Sequence, residues 1–270
     1  MRASLPPNEE QRLLRLKALN ILDSDPEQSF DDLVQLAASI CGTSSALIGF
    51  IDEHRQWYKA KVGVESSEVA RELSFCSHAL LQPNSLTYVS DARTDSRFAD
   101  NPAVTSEQGL RLYAGVPLLL EQHYAVGTLC VFDSEAKPLS PAQLSALQRL
   151  ANQVVHLLSA RLLAHQAELQ RRTLETITNN VPILISQLDQ HYRYQFCNDK
   201  YRDWWDLDPK SLIGKTPAEL FGHEKFAEIK GRMDAALAGE IQKFIVQMDD
   251  ERILQVSYVP HRDQHQTIAG

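Results

Sequence analysis

Between Pro141 and Pro182 the chain runs for about 40 residues without a glycine or a proline, enough for one helix of roughly 60 Å. Ser140 is placed to cap it and Pro141 to occupy its first position, where a missing N–H costs nothing. Leu144, Leu147, Ala151, Val154, Leu158, Leu162 and Leu169 recur at heptad-like spacing, with His165 in the vacant slot. Beyond Gln166 the composition turns to Glu, Gln, Arg and Thr, too polar for the far end to be buried on its own domain. The spacing therefore predicts a homodimer through the long helix, with Leu147, Ala151, Val154, Leu158 and Leu162 as its seam. Replacing Val154 and Leu158 by aspartate is expected to break that dimer. The alternative is a helix that packs on the first domain and then unravels.

The helix over 141–180 divides the chain. Ahead of it, Asn8 to Leu22 reads as an amphipathic helix, and Phe30 to Ile40 as a second, capped by Asp25 or Ser29 and stopped by Gly42. Strands are expected at Ser45 to Asp52, Gln56 to Val62, Leu86 to Ser90, Leu112 to Leu120 and Ala125 to Asp133, the last two joined through Glu121 to Tyr124. A helical turn at Phe75 to Leu81 and a polar loop at Asp91 to Val104 lie between them. This order implies helices on an antiparallel sheet, an α+β arrangement. After Pro182 come strands at Ile183 to Asp189 and Tyr192 to Asn198, helices near Lys200 to Trp205, Pro217 to Phe221 and Glu224 to Ala238, and strands at Gln242 to Met248 and Ile253 to Pro260 across the turn Asp249 to Arg252. Thr267 to Gly270 looks like the opening of one more strand.

At 270 residues there is room for about two domains, each with its own core. With 27 basic and 35 acidic residues the net charge is −8, which offers no field for a phosphate backbone, so nucleic acid is not an expected partner. No apolar run approaches a membrane span, and the polar, proline-bearing start lacks a signal-peptide core, so no membrane association and a cytoplasmic location are expected. Cys41, Cys76, Cys130 and Cys197 are spaced as neither a zinc ribbon nor a redox CxxC, and read as four reduced, mostly buried thiols.

No phosphate-cradling, zincin or nucleophile-elbow motif occurs, and no catalytic residue is assigned to this chain. His261-Arg262-Asp263 mimics the start of a kinase catalytic loop but sits in an expected turn without the later Asn. His261 and His265 share no helix and have no accompanying acid, so no metal site is expected there. His156 and His165 on the long helix lack the residues that follow a phosphoacceptor. In Ser74-Phe75-Cys76-Ser77-His78 a thiol and an imidazole two residues apart can reach one cavity, as ligand lining or as plain core; a nucleophilic dyad would also need an orienting acid. The cluster of Asp91, Asp95, Arg97 and Asn101 is either mutual loop capping or a ligand contact.

The runs Asp52…Gln56-Trp57-Tyr58-Lys59…Gly63, Ser74-Phe75-Cys76-Ser77-His78, Asp91-Ala92…Arg97-Phe98…Asn101-Pro102, Tyr113-Ala114-Gly115-Val116-Pro117 and Gly127-Thr128-Leu129-Cys130 resemble a bacterial GAF domain over about residues 1–165. The resemblance implies an antiparallel sheet flanked by helices and a small-molecule pocket lined by Phe75, Cys76, His78, Asp91, Arg97, Phe98, Tyr113 and Gly115. Bilin-binding relatives place His directly after the chromophore Cys, whereas Ser77 intervenes here, so a covalent bilin is not expected. The Asn-Lys-x-Asp signature of cyclic-nucleotide binders is missing. Residues 174–270 resemble a PAS domain through Asn180-Val181-Pro182, Asp189…Tyr192…Asn198, Ile213-Gly214-Lys215-Thr216 and Tyr258-Val259-Pro260. That likeness implies an α/β sensor whose cavity is lined by Tyr194, Phe196, Trp204, Phe221, Phe226 and Phe244, with the last strand lacking. His191 and His223 have no surrounding pattern of haem ligands, and the ligand is left open.

Together the resemblances imply the sensory input region of a bacterial signalling protein. A small ligand or a change in dimer packing would be relayed along the helix to an output module beyond residue 270, a diguanylate cyclase first and a histidine kinase second. Two other classes stay open: a methionine sulfoxide reductase-like enzyme of the GAF fold using Cys76 and Cys130, or a ligand-free dimerisation scaffold.

Overall fold

The computed structural model describes residues 3–107, 109–121, 123–247 and 253–270. The chain divides into two compact units, Met1–Ala167 and Glu168–Gly270.

In the first unit α1 (Glu9–Ala18) and α2 (Gln28–Cys41) precede the strands, and α2 ends where Gly42 takes φ +64°, a left-handed turn that suits glycine. The strands are β1 (Ser45–Ile51), β2 (Arg55–Val62), β3 (Glu68–Ala70), β4 (Thr87–Val89), β5 (Leu112–Leu120) and β6 (Tyr124–Asp133); α3 (Phe75–Ala79) and α4 (Pro102–Thr105) lie in the connections. They form one six-stranded sheet in the order β3-β2-β1-β6-β5-β4, with every pair antiparallel. The α+β class expected from the element order holds. The short elements β3 and α4 fall in segments where the sequence shows only polar loop.

Strand alternation sorts the sheet into two faces. Ala46, Ile48, Phe50, Ala114, Val116, Leu118, Leu129 and Val131 face α2 and α5 (Pro141–Asn180) in the main core. Leu47, Ile51, Tyr113 and Cys130 face the other way, under Phe75 and Phe98. The register sets Gly49 opposite Thr128 and Gly115 opposite Cys130 on that second face.

The seam expectation is corrected here. Leu147, Ala151, Val154 and Leu158 are at most 1% exposed and belong to the main core of their own unit, with Leu162 half-buried against it. Side chains that have already lost their water on the chain's own sheet have no surface left for a second copy. An aspartate at Val154 or Leu158 would therefore unfold this unit rather than part a dimer. The apolar residues of α5 that stay exposed are others: Leu163, Leu169, Leu174 and Ile177.

The second unit holds β7 (Ser186–Leu188) paired with β8 (Tyr194–Cys197), then α6 (Lys200–Trp205), α7 (Pro209–Leu212), α8 (Pro217–Phe221) and α9 (His223–Leu237), then β9 (Gln242–Gln247) paired with β10 (Ile253–Tyr258). Thr216 and Glu219 make a reciprocal capping box at the start of α8. The expected turn at Asp249 to Arg252 lies outside the described residues. Past β10 the chain folds back through a bridge between Arg262 and Ile268.

Candidate functional site

The short helix α3 brings the first group of candidate residues onto the second face of the sheet. Ser74 caps it by accepting from the Ser77 amide at 3.1 Å, and donates to Gln56 Oε1. The cap fixes Phe75 flat against Phe98, with ring centroids 4.2 Å apart and planes 8° from parallel. Tyr113 tilts against both rings, and His78 meets Phe98 edge-on at 4.9 Å. Phe75, Phe98 and Tyr113 are all buried and in ring contact with one another.

Beneath them lies a polar nest. Cys76 Sγ is 3.6 Å from Cys130 Sγ, and Tyr113 Oη donates to Cys76 Sγ at 3.2 Å. Burial drives the Cys130 thiol and the Tyr113 phenol well above their usual ranges. Burial acts the same way on Cys76, but the polar groups of Cys130, Thr128, Tyr113 and Gln56 turned towards its sulfur outweigh it and hold that thiol at about 7. Gln56 Nε2 and Thr128 Oγ1 are themselves buried without a hydrogen-bond partner among the described residues. Two glycines make the nest feasible. A Cβ on Gly115 would sit 2.2 Å from Tyr113 Oη, and one on Gly49 would sit 2.4 Å from Gln56 Nε2.

Asp91 stays outside this group, and Arg97 reaches only its aromatic edge. Asp91 caps a tight turn and pairs with Arg93, whose hydrogen bonds hold its carboxyl at about 2, and Arg97 pairs with Asp95 at 2.6 Å while its guanidinium lies over Phe98. Gly115 belongs to the nest as the space the phenol occupies. A groove of about 370 Å³ lies elsewhere on this unit, lined by Pro83, Asn84, Ser85, Val116, Pro117, Leu119, Gln148, Asn152 and Val155. None of the eight expected residues lines it. Gln56, Ser74 and Thr128 stand in the runs that carry the resemblance but were not assigned to the pocket; the alternation that puts Leu129 and Val131 in the main core is the signal that turns Thr128 and Cys130 to the other face.

In the second unit the expected aromatics separate into different contacts. Tyr194 stacks edge-on with Tyr201, Tyr201 with Trp205, and Trp205 with Phe221. Phe226 instead meets Tyr192, and Phe244 meets Tyr258 under the Arg232 guanidinium. Phe196 and Trp204 are half-buried. The fully buried Asn198 accepts from the Ile185 amide and donates to the carbonyls of Ile183 and Thr178, tying the end of α5 to β7 and β8. Among the described residues no group of three or more His, Cys, Asp or Glu is placed to hold a metal, and no helix is long and apolar enough to cross a membrane.

The family profile described as a GAF domain matches residues 25–158, and the one described as a PAS fold matches residues 178–270. The chain is a GAF domain followed by a PAS domain. Over 151 residues, 56% of this chain, it is 34% identical to a cyclic di-GMP phosphodiesterase from Pseudomonas aeruginosa. The match covers 26% of that protein, so the chain spans about a quarter of the relative's length. Solved structures similar to the GAF part include the GAF domain of an Acinetobacter phosphoenolpyruvate-protein phosphotransferase, with 22% identity, TM-score 0.43 and coverage of 58% of this chain and 95% of that one. The corresponding domain from Coxiella burnetii has 14% identity, TM-score 0.43 and coverage of 59% and 96%.

Proposed function

We propose that this GAF and PAS pair is the cytoplasmic sensory region of a signalling protein that controls cyclic di-GMP turnover, with α5 as the relay. The observation that carries the reading is how α5 is held in each unit. In the GAF unit Arg161 donates to the carbonyls of Leu19 and Asn20 and pairs with Glu27; in the PAS unit Asn198 donates to Thr178 O, and Asn179 exchanges hydrogen bonds with Asp199. A change that moves either set of contacts acts directly on the helix, and a ligand drives it only by its differential affinity for two arrangements. Hydrolysis of the dinucleotide is favoured over synthesis as the output because the matched relative is a phosphodiesterase.

Within this reading the chain works as a homodimer through apolar residues that α5 leaves exposed, Leu163 in the GAF unit at 66% and Leu174 and Ile177 in the PAS unit at 62% and 58%. The groove beside Gln148 and Asn152 takes a small ligand. The test measures cyclic di-GMP in a strain whose chromosomal copy of this gene carries Arg161→Ala or Asn198→Ala. Altered levels with unchanged protein abundance support the relay; levels equal to the parent strain for both variants overturn the proposed output. Native mass spectrometry of the purified protein reads the bound ligand and the oligomeric state together.

A further inference from the structure

We propose that Cys76 and Cys130 are a modification site at which a hydroperoxide is reduced and the two thiols become a reversible disulfide beneath α3. The inference does not depend on the identity of the signalling output.

The two sulfurs are 3.6 Å apart, on elements far apart in sequence, so roughly 1.5 Å of closure brings them to disulfide distance. Their surroundings are polar for a site so deep in the fold. Tyr113 Oη already donates to Cys76 Sγ, while Gln56 Nε2 and Thr128 Oγ1 face the same sulfur with no partner among the described residues meeting hydrogen-bond geometry. Unpartnered buried donors are rare because each loses its hydration. Here they supply what the reaction needs, namely donors to the oxygen that leaves as charge builds on it. Gly49 and Gly115, facing Thr128 and Cys130 across the sheet, leave the room that Gln56 and Tyr113 occupy over the sulfurs.

Both sulfurs are buried, and the route to them in this proposal is local opening of α3. That helix is only five residues long, and its Ser74 cap is itself bonded to Gln56. Cys41 and Cys197 lie on α2 and in β8, and burial raises both of their thiols, which makes them internal controls.

The steps balance as follows. The Cys76 thiolate attacks one peroxide oxygen and the O–O bond breaks; the departing hydroxide takes up the thiol's proton as water, leaving Cys76 as a sulfenic acid. Cys130 Sγ then attacks Cys76 Sγ and the S–O bond breaks; the hydroxyl leaves with the Cys130 proton as a second water. Two thiols lose two electrons, and one hydrogen peroxide becomes two waters.

The test treats the whole protein with hydrogen peroxide, alkylates the remaining thiols and maps peptides without reduction. The expected result is a Cys76–Cys130 cross-link, formed at least about tenfold faster than Cys41 or Cys197 is oxidised and reversed by dithiothreitol. Cys130→Ser should stop the reaction at a dimedone-trappable sulfenic acid on Cys76, and Thr128→Val should slow cross-linking several-fold. Three outcomes overturn the proposal: sulfinic acid on Cys76 with no cross-link, a cross-link through Cys41 or Cys197, or equal rates at all four thiols. The wild-type map decides these without any variant, so a cysteine variant that fails to fold does not leave the question open.

Discussion

Arg161 Nη1 of α5 lies 2.6 Å from Glu27 Oε1 at the start of α2, and the same carboxylate oxygen is 2.6 Å from Lys59 Nζ on β2. One carboxylate thus joins the sheet, the turn before α2 and the long helix. The two cations are not equivalent. Lys59 Nζ is fully buried and also donates to Ser24 Oγ and Asp25 O, whereas the Arg161 side chain is 30% exposed. Lys59→Ala is expected to cost about 3 kcal/mol and Arg161→Ala about 1 kcal/mol, because the first removes a fully desolvated ammonium with its three contacts and the second a guanidinium that is partly in water. Urea denaturation of both variants checks the order; equal losses would contradict it.

Acid should loosen the attachment of α1. Burial works against ionisation of Glu9, but hydrogen bonds and charge from Arg12 and Arg71 outweigh it and hold the carboxyl at about 2, against an ordinary value of 4.5. A depressed folded pKa means this contribution is present in full above the ordinary value and is lost as pH falls from there through about 2. Its size at neutral pH is about 2–3 kcal/mol. Stability of the wild type minus that of Glu9→Gln, measured by urea between pH 6 and pH 2.5, should shrink towards the acid end. A difference constant with pH refutes the assignment.

The two faces of α5 should respond oppositely to charge. Leu158→Asp places a carboxylate in the main core and is expected to cost more than about 4 kcal/mol, seen as loss of the folding transition. Leu163→Asp with Ile177→Asp should leave the melting temperature within a few degrees and turn the proposed dimer into a monomer in sedimentation. A dimer that survives that double change removes these exposed residues as the interface.

Gly115→Ala should disturb the nest without touching the main core. Its new methyl would meet the phenol of Tyr113, which is buried and tilted against both Phe75 and Phe98 and so has little room to yield. The expected cost is about 1–3 kcal/mol. Near-ultraviolet circular dichroism should change with it; an unaltered tyrosine signal would mean the phenol does not lie where it is described.

Much of this was legible in the residues. Ser140-Pro141 and the lack of any breaker mark the long helix, Gly42 marks the end of α2, and the run from Leu112 to Leu120 marks a strand that the structure reproduces residue for residue. The direction of the helix was not legible. A periodic stripe such as Leu147, Ala151, Val154 and Leu158 looks the same whether it covers the chain's own sheet or a second copy, and only the third dimension decides. The candidate pocket was ambiguous for a related reason: Phe75, Phe98 and Tyr113 carry the same letters whether they line a cavity or fill it. Gln56 and Thr128 were not assigned to the site because a lone amide or hydroxyl in an apolar strand has no spacing signature, and Gly49, which leaves room for Gln56, lies on another strand.

Arg161 and Asn198 grip α5 and its surroundings chiefly through main-chain carbonyls, those of Leu19, Asn20, Thr178 and Ile183. A carbonyl is the same whatever side chain sits beside it. The residues that supply these acceptors can drift through evolution without loosening the helix, while Arg161 and Asn198 cannot. A descendant that exchanges Arg161 or Asn198 must therefore rebuild these carbonyl contacts from other atoms.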